Sequence, residues 1–170
     1  SNTDLFRNLE SFLVNLVRSF IQAIEAKDAY TRGHSERVSQ YCELMAGELG
    51  MEAEEKKNLQ WASLLHDVGK IGIPETILNK PGRLTEAEFN AIKEHPEKGY
   101  NILKPIAQLS TALPGILHHH ERYDGGGYPG GLAGDKISFI GRIIAIADTF
   151  DAISSNRAYR SAKSKEKAMT

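Results

Sequence analysis

The chain has 170 residues, 41% of them apolar and 25% charged, with a formal net charge of −1. That length supports a single domain whose core needs neither disulfides nor a structural metal. The charge balance gives no global basic field for a nucleic-acid polymer, and a lone cysteine, Cys42, excludes both an internal disulfide framework and a thiolate-rich metal site.

Leu5, Leu9, Phe12, Leu16, Ser19 and Ala23 recur at alternating steps of four and three, and Phe6, Leu13, Val17, Phe20, Ile21 and Ile24 widen the stripe. The spacing predicts an amphipathic helix of about seven turns. Two roles stay open for residues 1–24: packing on the protein's own domain, or a dimerising or signal-transmitting helix. Val38, Tyr41, Cys42, Met45 and Leu49 share a helical face over 35–49, and Gly50 stops it. Residues 54–65 read as another helix with His66 at its end, broken by Gly69, Gly72 and Pro74. Lys80-Pro81-Gly82-Arg83 is a turn, Thr85 and Glu88 form a capping box, and His95-Pro96 restarts a helix. A helix beginning near Ile106 or Pro114 leads into His118-His119-His120. A glycine-rich loop covers 121–136, an apolar helix follows over 139–155, and a further helix starts near Lys163. No stretch of alternating residues demands a sheet, so the class is all-α. No apolar run approaches the ~20 residues of a membrane span, and no signal-peptide pattern is present.

All six histidines fall in polar motifs, the sharpest being His66-Asp67. Imidazole and carboxylate are the ligands that borderline and hard divalent cations prefer. A His-Asp dipeptide alone also suits a helix end, but five further histidines in similar company favour a metal site. Lys70 lies about one turn beyond His66, on the same face, where an ammonium suits a phosphate beside a metal. His119 and His120 are adjacent, and buried imidazoles each need a partner; His118 reads as the bystander of the triplet. Glu121 reads equally as an orienter of an imidazole or a solvated carboxylate. Asp148 interrupts an apolar helix, so it must be paired or metal-bound. Asp151 lies one turn on, and Arg157 and Arg160 have the spacing of a phosphate clamp. The glycines around Tyr128-Pro129 formally match a dinucleotide fingerprint, but no strand precedes them. They suit tight turns beside the site, with Tyr128-Pro129 as a rigid knob for a lid or a partner contact.

Taken together, Asp28-Ala29-Tyr30-Thr31-Arg32-Gly33-His34-Ser35, His66-Asp67-Val68-Gly69-Lys70, Lys80-Pro81-Gly82, Glu94-His95-Pro96, His119-His120-Glu121, Gly127-Tyr128-Pro129 and Ala147-Asp148 resemble the HD-GYP subfamily of HD-domain metal-dependent phosphohydrolases. The likeness runs from about Glu25 to Ala162. It implies an HD-domain helical bundle that hydrolyses cyclic di-GMP to the linear dinucleotide, and on to GMP, with water activated at two divalent metals, iron or manganese favoured. One metal would be held by His34, His66, Asp67 and Asp148, and a second by His95, His119 and His120, with Asp67 bridging. Asp67 and Lys70 would serve catalysis; Lys70, Asp151, Arg157 and Arg160 would meet substrate. Tyr30 stands where some members carry a carboxylate for a third metal, which implies two metals. Ala158 replaces a common proline between the two basic residues.

The resemblance further implies a catalytic domain over 25–170 that usually continues through more C-terminal helix. It implies a bacterial cytoplasmic setting, in a parent protein that membrane attachment would not exclude. Partners expected are the cyclic dinucleotide, a protein at the Gly127-Tyr128-Pro129 loop, and a second copy through residues 1–24. The alternatives are a non-catalytic cyclic-dinucleotide receptor or interaction module, and a phosphohydrolase of other nucleotide specificity. The full ligand set argues against a degenerate receptor.

Overall fold

The computed structural model describes the backbone of residues 2–28 and 31–168 and the side chains of 3–5, 7–9, 11–28 and 31–155. Tyr30 and the side chains of Arg157, Ala158 and Arg160 lie outside the described residues.

Among the described residues eight α-helices follow one another: α1 (Asn2–Glu25), α2 (His34–Glu48), α3 (Ala53–Leu65), α4 (Glu75–Leu78), α5 (Glu86–Lys93), α6 (His95–Leu103), α7 (Leu113–His118) and α8 (Phe139–Ala168). Short 3₁₀ turns at Val68–Gly72, Ala107–Leu109 and Gly134–Lys136 join them. Among the described residues there is no strand, only one isolated bridge between Asp124 and Ala133. The all-α reading is borne out. The predicted break before Lys163 is not seen: α8 runs on to Ala168, since no glycine or proline interrupts 152–162.

The core forms where α2, α3, α7 and α8 meet. Val38, Cys42 and Ala46 recur every fourth residue of α2 and face Leu59, Ala62 and Leu65 of α3, with Ile116 of α7 and Ile143, Ile144 and Ala147 of α8 closing the cluster. Val17, Ile21 and Ile24 pack the second half of α1 onto this core, while Leu5, Leu9, Phe12 and Leu16 remain exposed. The helix therefore does the first of its two expected jobs over one half and leaves its apolar seam open over the other.

Local signals account for the starts. Thr85 accepts from the Glu88 N–H, and Glu88 reaches back to the Thr85 N–H, as the capping box requires. The same reciprocal pair forms between Glu52 and Glu55 at α3. Proline in the first turn opens α6 and α7. The consequence for function is that the ends of α3 and α7 and the starts of α2 and α6 converge, so that the histidines there meet.

Candidate metal centre

His66 ends α3, and its neighbour Asp67 leads into the 3₁₀ turn at Val68–Gly72. That turn packs against α6, whose first residue is His95. Gly69 makes the approach possible: a Cβ there would collide with the carbonyl oxygen of His95 and lie 2.6 Å from the Gly99 nitrogen. α7 ends at His118, which delivers His119 and His120, and α2 begins at His34. Asp148 comes from α8.

Among the described residues two ligand-like groups result. Asp67, His95, His119 and His120 offer atoms within 4.8 Å of one another, and so do His34, His66 and Asp67. Asp67 belongs to both: its Oδ1 lies 3.3 Å from His95 Nε2, and its Oδ2 lies 3.8 Å from His34 Nε2 and 3.6 Å from His66 Nε2. Asp148 stands beside the second group, with Oδ1 3.2 Å from His34 Nε2.

The imidazoles are set to present one nitrogen. Nδ1 of His66, His95 and His119 hydrogen-bonds to the carbonyl three residues back, at Ser63 (2.6 Å), Ile92 (2.8 Å) and Ile116 (2.6 Å). A carbonyl only accepts, so Nδ1 carries the proton and Nε2 the lone pair. His66 Nε2 is buried with no hydrogen-bond partner. The Nε2 atoms of His95 and His119 face each other at 3.1 Å. Two lone pairs at that distance repel, and a cation between them resolves the conflict. The donor set therefore fits divalent metals: nitrogen and carboxylate oxygen, with no thiolate.

The charge states agree. Burial holds His66 and His119 below the ordinary histidine value, with neighbouring imidazoles adding to the effect, and lowers His120 to about 4. These rings are neutral at pH 7, as metal ligation requires. Burial would raise the Asp67 carboxyl, but Lys70 and the neighbouring imidazoles outweigh it and keep it ionised. His34 differs: burial opposes its charge, yet the Asp148 hydrogen bond and the Asp67 and Asp151 carboxylates push it up to about 9.

Lys70 Nζ donates to Asp67 Oδ2 at 2.7 Å and lies 3.4 Å from Asp28 Oδ2. It is thus beside the centre. Asp151, expected on substrate, sits elsewhere: it is 2% exposed, Oδ2 faces His34 Nδ1 at 2.7 Å, and Arg37 Nε donates to Oδ1 at 2.6 Å. Its carboxylate is occupied in orienting His34. His118 is the bystander: its Nδ1 accepts from the Ser138 N–H at 3.2 Å.

Glu121 takes neither of its two expected roles. It is buried, and its oxygens accept from the N–H groups of Gly130 (2.6 Å) and Leu132 (2.9 Å), tying down the glycine-rich loop. The knob at Tyr128 turns inward. Its ring stacks on His120, centroids 4.8 Å apart and planes 27° apart, and its N–H donates to the His120 carbonyl at 3.1 Å. Gly127 permits this, because a Cβ there would strike the Arg122 nitrogen. Burial and the Asp67 and Asp148 carboxylates push the Tyr128 hydroxyl up to about 12, so it stays protonated. Arg37 and Glu25, both of which bear on His34, carried no sequence signal beyond their charge.

A family model described as HD domain matches residues 18–170. The chain belongs to the HD-domain family, and its relatives bear out the HD-GYP likeness of the motifs. It is 44% identical over 150 residues to a cyclic di-GMP phosphodiesterase response regulator of Xanthomonas campestris pv. campestris, covering 87% of this chain and 40% of that protein. It is 42% identical over 160 residues to a 3′3′-cGAMP-specific phosphodiesterase of Vibrio cholerae serotype O1, covering 94% of this chain and 35% of the relative. Among solved structures, an HDGYP protein from Bdellovibrio bacteriovorus superposes with a TM-score of 0.63 at 22% identity, over 84% of this chain and 49% of that one; the likeness is one of fold. The chain thus spans well under half the length of these two curated relatives.

Proposed function

We propose that this domain is a metal-dependent phosphodiesterase that opens a cyclic dinucleotide, cyclic di-GMP first, to the linear dinucleotide and on to GMP. The observation that carries the reading is the pair of ligand groups sharing Asp67. In this reading His34, His66, Asp67 and Asp148 would hold one divalent ion and His95, His119 and His120 a second, with Asp67 shared between the two groups. Iron or manganese suits the mixture of nitrogen and oxygen donors. When bound, such ions act as Lewis acids on a phosphoryl oxygen and acidify water.

The chain's own groups do the rest. Lys70, charged and 2.7 Å from Asp67, meets a non-bridging phosphate oxygen and offsets charge growing there. Arg157 and Arg160 serve the second phosphate as forked donors. Tyr128, half-buried on His120, covers one side of the centre and restricts water. The leaving ribose 3′-oxygen receives its proton from solvent or from a group the bound substrate brings near.

The alternative substrate is 3′3′-cGAMP, favoured by the identity to a relative named for it. A turnover assay with both dinucleotides, read by product chromatography, tests the proposal. A linear product from either supports hydrolysis and assigns the base preference; tight binding without product would transfer support to a receptor.

The proposal includes a bacterial cytoplasmic setting, in keeping with the bacterial organisms of its relatives. Among the described residues no helix is long and apolar enough to cross a membrane. It also includes self-association through α1. Leu5, Leu9, Phe12 and Leu16 are 69%, 54%, 61% and 54% exposed at heptad spacing, and Asp4, Arg7, Glu10, Arg18 and Glu25 all fall off that seam, so identical copies meet no like charges across it. Sedimentation over a concentration series checks this: a dimer that Leu9→Glu dissociates is expected, and a monomer throughout contradicts it. A protein partner at Gly127-Tyr128-Pro129 would meet the outer edge of that loop, since the Tyr128 ring faces His120.

A further inference from the structure

α2 starts at His34 without a cap of its own. Its N-cap residue is Gly33, at φ 68°, which has no side chain to offer. The free N–H groups of a first helical turn need acceptors, and here they are served by another element. Glu25, the last residue of α1, is 9% exposed. One of its oxygens accepts from the Gly33 N–H at 2.7 Å and the other from the Ser35 N–H at 2.8 Å. These two donors flank His34 in sequence. The carboxylate also lies at the positive end of the α2 dipole, where a negative charge is favoured.

His34 is therefore held twice. Asp151 fixes its ring through Nδ1, and Glu25 fixes the backbone on either side of it. The turn that follows α1 grips the segment after Asp67 as well. Lys27 Nζ donates to the carbonyls of Ile71 (2.7 Å) and Ile73 (2.6 Å), and Asp28 lies 3.4 Å from Lys70. His95 and His119 are set differently, by carbonyls in the turns just before them.

We propose that Glu25 is a positioning residue for the ligand group of His34, His66, Asp67 and Asp148, acting through the His34 backbone, and that it couples α1 selectively to that half of the centre. This rests on the two-metal reading above. A displacement of α1 moves Glu25, and with it the angle at which His34 presents Nε2, while the His95, His119 and His120 group keeps its own supports.

Manganese(II) titration against a competing chelator, on the full chain and on Glu25→Gln, tests it. Glutamine keeps one acceptor and turns the other oxygen into an amide donor facing a backbone N–H. The parent is expected to bind two ions. E25Q is expected to keep one at parental affinity and bind the other about 10–100-fold more weakly, the usual effect of losing an outer partner of a ligand. Glu25→Asp, which keeps the charge but shortens the reach, should fall between, and it carries the same comparison if E25Q shows no cooperative unfolding in metal-free buffer. Two ions bound by E25Q at parental affinity overturn the proposal, as does equal weakening of both, which a merely structural cap would give. A parent that binds fewer than two ions removes the underlying metal reading, and the proposal with it.

Discussion

Asp151 Oδ2 faces His34 Nδ1 at 2.7 Å, while one turn earlier on α8 Asp148 Oδ1 faces Nε2 of the same ring at 3.2 Å. Two carboxylates at i, i+3 on one helix face thus address the two nitrogens of a single imidazole. Under the two-metal proposal the two contacts would differ in role: Nε2 would offer its lone pair to the metal and Nδ1 would keep its proton for Asp151. Asp151→Asn is expected to weaken metal binding by about 10–100-fold with little change in the KM of the metal-saturated enzyme. A raised KM with metal affinity unchanged would return Asp151 to the substrate. Chelator competition and steady-state kinetics on one preparation decide between them.

The proton on His34 sets a pH dependence. In the metal-free protein its imidazole is raised to about 9, above an ordinary unfolded value of about 6.5. Its contribution to folding stability is fully present below that unfolded value and is lost as pH rises through about 9. Metal binding runs the other way, because the cation must displace this proton. Affinity of the His34 group should strengthen about tenfold per pH unit on approaching that value and level off above it. Denaturation of metal-free protein at a series of pH values, beside titrations in the same buffers, checks both slopes; parallel slopes contradict the assignment.

Gly69 is where the segment bearing Asp67 crosses α6. Gly69→Ala drives a Cβ into the His95 carbonyl and to 2.6 Å from the Gly99 nitrogen, and backbone cannot yield as a flexible side chain does. A loss of about 1–3 kcal/mol or more is expected from such overpacking, with weaker metal binding because Asp67 and His95 are pushed apart. Urea denaturation of the metal-free variant measures the first and chelator competition the second. Parental values for both would mean the two segments do not touch.

Cys42 is fully buried in the α2 face of the core, and burial pushes its thiol up to about 12 despite a hydrogen bond with Ser63. A thiol so placed is a poor nucleophile. Labelling by a maleimide at pH 7 should be slow in the native protein and fast in denaturant, with its rate tracking global opening. Rapid native labelling would show that α2 and α3 separate at little cost.

The helices and most of the centre were legible because their signals are local. Thr85 and Glu88 announce a cap three residues apart, and His66-Asp67 and His119-His120 are adjacent in the chain. Glu25, Asp151 and Glu121 were not legible in the roles they take. Asp151 meets His34 across 117 residues and Arg37 across 114, a pairing that spacing in one sequence does not carry. Glu121 had the right neighbours for an imidazole orienter, but its acceptors are used by two loop N–H groups that any sequence could supply. The inward turn of Tyr128 likewise depends on backbone contact at Gly127, which composition marks only as a turn.

In the proposed mechanism Asp67 joins two metal sites. Metal analysis with cyclic di-GMP turnover, on the parent chain and on Asp67→Ala, tests it most directly. Two ions and a linear dinucleotide product are expected from the parent, and in Asp67→Ala the loss of both ions and of turnover while the helical fold persists. Asp67→Ala that keeps two bound ions and parental turnover would contradict it.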